Sequence, residues 1–503
     1  MNQDKSLSDI AVIGLGVMGK NLALNIADNH FNVSVFDIDS DKVQAAVDAG
    51  QTFGHQRIRA VDSMTNLLAS LTTPRRILLS VPAGKIVDVI CQQLIDAGIE
   101  PDDIVIDSGN SLWTDTIART KQYQSQLQFF AVAVSGGEEG ARVGPSLMPS
   151  GSMQAWQHIA PIFTRIAAQV DPITFKPIVR QAGEVTTADS EPCCSYIGPA
   201  GSGHYVKMVH NGIEYADMQL ICEAYDLLSK AANLTALQIA DIFDGWAQGR
   251  LSSYLMEISA DILRQQDPLT GKPLVEIIAD QAGQKGTGLW TAVSSLQLGV
   301  PAPTIAEAVY ARAMSAQKSL RVQLSQQYNP VDVVALSEIE LAQLIGALEQ
   351  ALYAAKVCCY AQGFELLAKQ ASEQDWQLNY AEIAKLWRAG CIIRASFLQD
   401  IVQAYASQEN QHLLQAEFFV SSLNNAQSAW RQVVITAVTN GVPIPSISAS
   451  LAYFDSYRSA VLPANLLQAQ RDYFGAHTFK RIDQPEQSYH FNWSEPEQGL
   501  EPR

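Results

Sequence analysis

The sequence predicts an α/β domain built on a parallel sheet, followed by a large all-α domain and a short C-terminal tail. Over residues 1–200, short apolar runs typical of buried strands alternate with helical patterns. Over residues 201–460, strand signals are few, and leucine and alanine recur at helical spacing. The tail, residues 461–503, is polar near its end but keeps Tyr489, Phe491 and Trp493 close together, which is unusual for a disordered segment.

Composition and charge exclude several classes of protein. The chain of 503 residues is 47% hydrophobic and carries a formal net charge of -17 with no basic tract, which argues against nucleic-acid binding. The polar N-terminus lacks the apolar core of a signal sequence, and no apolar run approaches the length of a membrane span. The seven cysteines show neither metal-ligand nor disulfide spacing. We therefore expect a soluble, cytoplasmic protein that needs no metal.

A glycine-rich turn lies between the first predicted strand and the first predicted helix. It has the pattern G-x-G-x-x-G and comprises Gly14, Leu15, Gly16, Val17, Met18 and Gly19. An acidic residue, Asp37, ends the second predicted strand 23 positions after Gly14. Glycines at this spacing let backbone amides approach a pyrophosphate, so the context predicts a Rossmann-type dinucleotide site. The alternative is a glycine turn in an α/β unit that binds no ligand.

The turn after the second strand, Asp37-Ile38-Asp39, bears on the choice of coenzyme. A carboxylate at this position accepts hydrogen bonds from ribose hydroxyls, and it repels the 2′-phosphate of NADP. NADP sites usually place an arginine nearby, whereas this turn continues with a further acid and one lysine. The electrostatics of the turn therefore favour NAD.

Three further strands are predicted at residues 76–81, 104–107 and 129–134. Ligands bind beyond the carboxyl ends of strands in open parallel sheets, so the turns after these strands should meet at one crevice. The candidate coenzyme and substrate contacts in these turns are Val81, Pro82, Ala83, Asn110, Ser135, Gly136 and Gly137. Each turn taken singly is equally compatible with an ordinary glycine turn.

Two other segments bear on the architecture. Residues 171–192 are polar and contain several prolines, which predicts a surface insertion or linker that closes the first domain. Weak similarity between residues 226–249 and 365–390, each ending in Trp-x-x-Gly, indicates a duplicated helical unit, with chance composition as the alternative.

A stripe of four polar residues lies in the first helix of the all-α region. Lys207, His210, Asn211 and Glu214 are spaced i, i+3, i+4 and i+7, so they share one face of a helix whose other residues are mostly apolar. Polar groups on a buried helix need partners, because unpaired polar groups in a core are costly. The stripe is either an internal ion-pair network or, given the coenzyme site upstream, a catalytic face.

Cations elsewhere in the chain are candidates for binding an anion. The segment Gln284-Lys285-Gly286-Thr287-Gly288 is a polar turn before a helix predicted to start near Trp290, and it suits a phosphate. Arg312 lies on an apolar helix, and Arg471 and His477 lie near the C-terminus. For each arginine alone, a buried salt bridge is the alternative.

Several of these motifs resemble the 6-phosphogluconate dehydrogenase family of the β-hydroxyacid dehydrogenase superfamily. The resemblance extends from Ile10 to about Trp493. The motifs that carry it are residues 14–19, 135–141, 144–149, 207–215, 282–288 and 470–477.

The resemblance implies a function and a set of site residues. It implies oxidative decarboxylation of 6-phosphogluconate, with Lys207 as base and Glu214 as acid. It also implies a homodimer in which the tail of one subunit, with Arg471 and His477, reaches the partner's active site. The residues that match the family's substrate contacts are Asn110, Ser135, Gly136, Gly137, His210, Asn211, Tyr215, Lys285, Thr287, Arg312, Arg471 and His477.

The chain departs from the family pattern at three places. Asp37-Ile38-Asp39 replaces the usual Asn-Arg-Thr, and Pro82 replaces a lysine, so two cations near the usual coenzyme, NADP, are lost. The segment around residues 171–190 is longer than usual. Two alternatives stand beside this function. One is a related dehydrogenase for a small unphosphorylated acid, and the other is a catalytically silent nucleotide-binding homologue.

Overall fold

The computed structural model describes residues 7–54, 56–408 and 411–503. The chain forms two compact units, Met1–Ser450 and Leu451–Arg503. The predicted boundaries at residues 200 and 460 are a finer division and stay predictions. No described helix is long and apolar enough to cross a membrane.

A seven-stranded sheet forms the N-terminal part of the first unit, with strand order β3-β2-β1-β4-β5-β6-β7. The strands are parallel except β7, which is antiparallel to β6. Their apolar residues are buried because helices cover both faces. The strands are β1 Ile10–Ile13, β2 Val33–Phe36, β3 Ile58–Ala60, β4 Arg76–Leu79, β5 Ile104–Asp107, β6 Gln128–Ser135 and β7 Ser146–Ser150.

Helices connect the parallel strands, so the carboxyl ends of β1 to β6 lie at the same edge of the sheet. The helices are α1 Val17–Asp28, α2 Ser40–Thr52, α3 Met64–Ala69, α4 Lys85–Asp96, α5 Trp113–Tyr123, α6 Gly137–Val143 and α7 Met153–Ile166. The predicted strands β1, β2, β4, β5 and β6 are confirmed. Two strands were not predicted from the sequence. The strand β3 has only three residues, and β7 contains Pro149 but lies at the sheet edge, where a missing N–H is tolerated.

Residues 171–192 form an ordered insertion. Its strands β9 (Pro177–Ile178) and β10 (Glu191–Pro192) flank β8 (Gln169–Val170) in a small antiparallel sheet. Arg180 anchors the insertion, because its guanidinium donates to the carbonyl of Val143 at 2.9 Å and also binds the Asn25 side chain of α1. The insertion is thus held against the sheet domain while most of its surface stays exposed.

Two long helices, α8 (Ser202–Lys230) and α15 (Glu338–Gln374), are the centre of the helical part. A Cβ added at Gly363 of α15 would lie 2.5 Å from the Ile213 side chain, so glycine permits the close crossing of these helices. The remaining helices are α9 Ala236–Ala247, α10 Tyr254–Arg264, α11 Leu274–Ile277, α12 Thr287–Leu298, α13 Pro303–Ser315, α14 Lys318–Gln327, α16 Tyr380–Leu386, α17 Leu398–Ser407, α18 Glu417–Thr439 and α19 Pro445–Tyr457.

The arrangement of these helices agrees with a duplicated unit. A shorter helix, α9 or α16, follows each long helix and ends beside a buried tryptophan, Trp246 or Trp387. The two loops that follow pair with each other around a bridge between Ser253 and Ala395. The duplication itself stays a prediction from the sequence.

The second unit contains α20 (Ala464–Gly475) and a sheet of β11 (Phe479–Arg481), β12 (Gln484–Phe491) and β13 (Leu500–Pro502). The unit is organised around the buried carboxylate of Asp472. Its hydrogen-bond donors are the amides of Thr478 and Phe491, the Trp493 indole and the His490 ring. Burial opposes ionisation, but these bonds bring the pKa of Asp472 to about 2. The tail aromatics therefore have packing partners within their own unit.

Candidate active site

The glycine turn has the geometry that a dinucleotide requires. A Cβ at Gly14 would lie 2.5 Å from the Ser80 carbonyl, and one at Gly19 would lie 1.9 Å from the carbonyl of Gly14. Glycine is therefore required at both positions, because a side chain would collide with the neighbouring backbone. A Cβ at Gly16 would meet nothing within 4 Å, so the backbone is open at this position, next to the N-terminus of α1. An open backbone at a helix N-terminus fits a pyrophosphate.

Asp37 links the end of β2 to the glycine turn. One carboxylate oxygen accepts a hydrogen bond from the amide of Leu15 at 2.6 Å, and the other accepts from the amide of Asp39 at 3.0 Å. Asp39 caps α2 through the amide of Asp41. Ile38 between them is 98% exposed. The carboxylate is thus held rigidly where ribose hydroxyls of a dinucleotide would lie.

The turns after β4 and β5 lie next to each other. A Cβ at Gly109 would lie 3.4 Å from the carbonyl of Val81, the residue before Pro82 and Ala83. Buried Asp107 shapes the second turn by accepting from the amide of Gly109 and from the Ser111 hydroxyl. The exposed Asn110 lies between these two anchored residues. The turn after β1 is also close, since a Cβ at Gly14 would lie 2.5 Å from the Ser80 carbonyl. The prediction was that the turns after β4, β5 and β6 meet at one crevice, and the contact between the first two agrees with it.

Arg119, which the sequence analysis did not single out, braces these turns. Its guanidinium donates to the carbonyl of Gly84 at 3.0 Å and to both carboxylate oxygens of Asp88. Its Nη1 lies 4.0 Å from Oδ2 of Asp107. Nothing in the local sequence distinguishes this arginine from a surface one, since its partners come from α4 and β5.

The turn after β6 faces α8. Ser135 is buried, and its hydroxyl lies 3.4 Å from Nε2 of His210. Gly136 and Gly137 both adopt positive φ angles, 115° and 63°. A Cβ at Gly136 would lie 2.5 Å from the carbonyl of Gly390, so this turn is pressed against the loop after α16. The close approach explains why glycine is required at position 136.

In the polar stripe of α8, Lys207, His210 and Asn211 are buried and Glu214 is partly exposed, and the four form a connected network. The Lys207 ammonium lies 3.4 Å from Nδ1 of His210, and that nitrogen lies 3.1 Å from Oδ1 of Asn211 and 3.8 Å from Oε2 of Glu214. The His210 ring also packs edge-on against Trp387. The structure thus brings together the four residues that the spacing placed on one face.

Burial shifts the protonation of the stripe. Desolvation lowers the pKa of Lys207, although Glu214 opposes this effect. Desolvation also raises the pKa of Glu214, and it lowers the pKa of His210 well below its ordinary value, with the Lys207 charge adding to the effect. A lysine whose pKa is lowered and a glutamic acid whose pKa is raised are suited to act as base and acid.

A second set of residues lies where α12 and α13 pack on α8. The helix α12 begins at Thr287, three residues before the predicted start near Trp290, because Gly286 takes a left-handed conformation there. Lys285, in the turn before it, is exposed. Arg312 stacks on the Tyr215 ring at 3.5 Å and donates to the carbonyl of Gly283 at 3.0 Å. The turn and the arginine are therefore neighbours, as an anion clamp requires.

Arg471 and His477 lie in the second unit. Arg471 is exposed and its guanidinium donates to the Gln468 side chain at 3.1 Å. The His477 ring packs against Phe474 at 5.9 Å. Among the described residues, no group of three or more His, Cys, Asp or Glu side chains is placed to hold a metal ion.

Comparisons with known proteins cover both the sheet domain and the helical part of the chain. Residues 9–179 match a sequence model of the NAD binding domain of 6-phosphogluconate dehydrogenase, and residues 203–493 match that of its C-terminal domain. The NADP(+)-dependent, decarboxylating 6-phosphogluconate dehydrogenase of Bacillus subtilis is 48% identical over 97% of this chain and 99% of its own. The decarboxylating enzyme 2 of Saccharomyces cerevisiae is 46% identical over 97% of both chains.

A solved structure extends the similarity to the fold. The 6-phosphogluconate dehydrogenase of Plasmodium falciparum, studied in apo form and in complexes with NADP+ and with 6-phosphogluconate, aligns with a TM-score of 0.89 and 38% identity. The alignment covers 96% of this chain and all of the other. With the two family models covering most of its length, the chain belongs to the 6-phosphogluconate dehydrogenase family.

Proposed function

We propose that this protein catalyses the oxidative decarboxylation of 6-phospho-D-gluconate to D-ribulose 5-phosphate and CO2, with reduction of a nicotinamide coenzyme, in the oxidative pentose phosphate pathway. One observation carries the proposal. Lys207 and Glu214 are both held in an apolar helix that favours their neutral forms, and His210 connects them to the turn after β6. The high identity to decarboxylating relatives supports the substrate.

Lys207 acts first, as a general base. In its neutral form it takes the proton from the C3 hydroxyl of the substrate while the C3 hydrogen leaves as hydride. A bound nicotinamide coenzyme would supply the hydride acceptor. Ser135 and the backbone amides of the turn after β6 hold the sugar acid so that C3 faces this base.

The second step uses the protonated form of Lys207. The 3-keto acid loses CO2 because the C3 carbonyl accepts the electron pair of the broken bond, and the Lys207 ammonium stabilises the resulting enolate by a hydrogen bond. Glu214 in its acid form then delivers a proton to the carbon that lost CO2, which is C2 of the substrate and C1 of the ribulose 5-phosphate formed. His210 and Asn211 position these groups and bind substrate hydroxyls.

The substrate phosphate is assigned to the cations beside α12. Lys285, Thr287 and Arg312 supply two positive charges, a hydroxyl and helix N-terminal amides, which together suit a phosphate dianion. This set favours 6-phosphogluconate over a small unphosphorylated hydroxy acid. The intact Lys207 and Glu214 pair argues against a catalytically silent homologue.

The coenzyme turn leads us to propose NAD over NADP. Asp37 places a fixed negative charge beside the ribose site, and the neighbouring Ile38 and Pro82 carry no charge. The Bacillus subtilis relative is described as NADP(+)-dependent. A preference for NAD in this chain would therefore be a local change of specificity within a shared fold.

We further propose a homodimer in which Arg471 and His477 of the tail complete the partner's phosphate site. Large apolar side chains are exposed along α12, α13 and α14 and on α20, as at an interface with another protein. Arg471 on the exposed tail can contribute a positive charge to an anion site of the partner. Analytical ultracentrifugation tests the dimer, and Arg471→Ala should raise the KM for 6-phosphogluconate more than that for the coenzyme.

The decisive test is a spectrophotometric assay of purified protein with 6-phosphogluconate and either coenzyme. We expect NADH or NADPH formation together with release of CO2, and a higher kcat/KM with NAD. Absence of reduced coenzyme with both would refute the proposed function. A kcat/KM strongly favouring NADP would refute only the role given to Asp37.

A further inference from the structure

The stripe of α8 does not end at Glu214. Asp217 lies three residues further along, on the same face of the helix, and is only 1% exposed. Its oxygen Oδ1 lies 2.9 Å from the ammonium of Lys356 on α15, which is completely buried. The ammonium lies 3.3 Å from the Ser253 hydroxyl as well. A fully buried ion pair thus lies one helical turn beyond the proposed acid.

Burial of this ion pair is energetically unfavourable. Burying two charges costs several kcal/mol of desolvation per ion, and apolar side chains of similar size often replace such pairs without loss of stability. Among the described residues, neither oxygen of Asp217 has a hydrogen-bond donor with good geometry. Its charge is therefore offset by Lys356 alone, and its field reaches its neighbours with little screening.

Glu214 is the neighbour that this field affects. Burial raises the pKa of Glu214. The charges of Lys207 and Arg312 lower this pKa, and the charge of Asp217 raises it further. The ionisable groups that act on Glu214 are Lys207 and Asp217 of α8 and Arg312 of α13. Nδ1 of His210 lies 3.8 Å from its carboxylate, and Tyr360 of α15 also interacts with it. Asp217 is the only carboxylate of this set, so it opposes two cations that favour the ionised form of Glu214.

We propose that Asp217 and Lys356 are positioning residues that keep Glu214 protonated during turnover. Asp217 supplies the negative charge that holds the proton on Glu214, and Lys356 keeps Asp217 itself ionised in an apolar core. Neither residue touches the substrate in this scheme. The inference rests on the proposed function, because it concerns the acid of that reaction.

The test is the pH dependence of kcat in the Asp217→Asn variant. Loss of the negative charge lowers the affinity of Glu214 for its proton, so the alkaline limb of the profile should move to lower pH by about one unit. The acid limb, which reports protonation of Lys207, should move in the same direction, and the KM for the coenzyme should stay unchanged. An alkaline limb at the wild-type position would overturn the proposal.

A second variant keeps the proposal testable if Asp217→Asn fails to fold. Asp217→Leu combined with Lys356→Met replaces the pair with apolar groups, a change that buried pairs often tolerate. It also removes the charge of Asp217, so its alkaline limb should likewise move to lower pH, by less than in the single variant. Wild-type pH dependence in a folded double variant would overturn the proposal.

Asp103→Asn is the matched control. Asp103 is buried and pairs with Arg75 at 2.7 Å in the sheet domain, on elements remote from α8. This variant should lose stability without a shift of either limb. A shift as large as that of Asp217→Asn would contradict a local effect on Glu214.

An inactive wild-type protein would refute the proposed function, whereas active wild type with unshifted variants would refute this inference alone.

Discussion

The catalytic stripe of α8 and the coenzyme turn after β2 differ in how strongly their surroundings constrain them. Lys207, His210 and Asn211 are buried and linked to one another, so a change in one disturbs the protonation or position of the others. The coenzyme turn is open, and Ile38 is 98% exposed. The stripe keeps the residue types of the family while the turn departs from them. Packing therefore leaves the turn freer to vary than the stripe, and the proposed change of coenzyme preference lies in the turn.

Removal of the base should have the largest effect on the stripe. Lys207→Met should lower kcat by roughly 100-fold to 10,000-fold, the usual contribution of a general base. Binding of reduced coenzyme, measured by fluorescence titration, should stay near the wild-type value because the turn is independent of the stripe. Lost coenzyme binding would show that the two regions are coupled after all.

Replacement of the acid should change the shape of the pH profile as well as its height. Wild-type kcat should fall at low pH, where Lys207 gains a proton, and at high pH, where Glu214 loses one. The pKa of Lys207 is lowered and that of Glu214 is raised, so the active window lies between two displaced limbs. Glu214→Gln should reduce kcat by about 100-fold or more and abolish the alkaline limb. An alkaline limb that persists in Glu214→Gln would show that a group other than Glu214 produces it.

The turn after β6 contacts the stripe through Ser135 and His210 and should respond to added bulk. Gly136→Ala places a methyl group 2.5 Å from the Gly390 carbonyl at a φ of 115°, so we expect a loss of stability of about 1–3 kcal/mol and a higher KM for the substrate. Gly137→Ala is the control, because it also adds a methyl group at a positive φ, 63°, but its Cβ would meet nothing within 4 Å. Thermal unfolding should separate the two variants, and equal losses would contradict the steric explanation.

The coenzyme turn should give the smallest effect, confined to specificity. Asp37→Asn combined with Ile38→Arg removes the repelling carboxylate and adds a cation. We expect kcat/KM to shift toward NADP by roughly 10-fold to 100-fold, as one or two charge contacts allow. The KM for 6-phosphogluconate should not change. Ile38→Leu serves as the control, and an equal shift there would exclude a charge effect.

Much of the sheet domain was predictable because its signals are local. A few consecutive residues form each of these signals, namely the glycine turn and the apolar runs at Ile10–Ile13 and Val33–Phe36. A short continuous apolar run is typical of a strand that is buried on both faces of a parallel sheet. The strand β7 was missed, since Pro149 argues against a strand until the sheet edge beside β6 is known. The start of α12 was misplaced because the conformation of Gly286 depends on its surroundings.

The sequence by itself determined the order of the elements, the glycine turn and the shared face of Lys207, His210 and Glu214, because helical spacing and glycine geometry are properties of the local chain. Tertiary structure alone decided that Ser135 meets His210, that Arg119 braces the coenzyme turns, and that Asp217 pairs with Lys356, 139 residues away. These contacts join distant segments through packing. Desolvation in that packed core then sets the protonation states on which the chemistry depends.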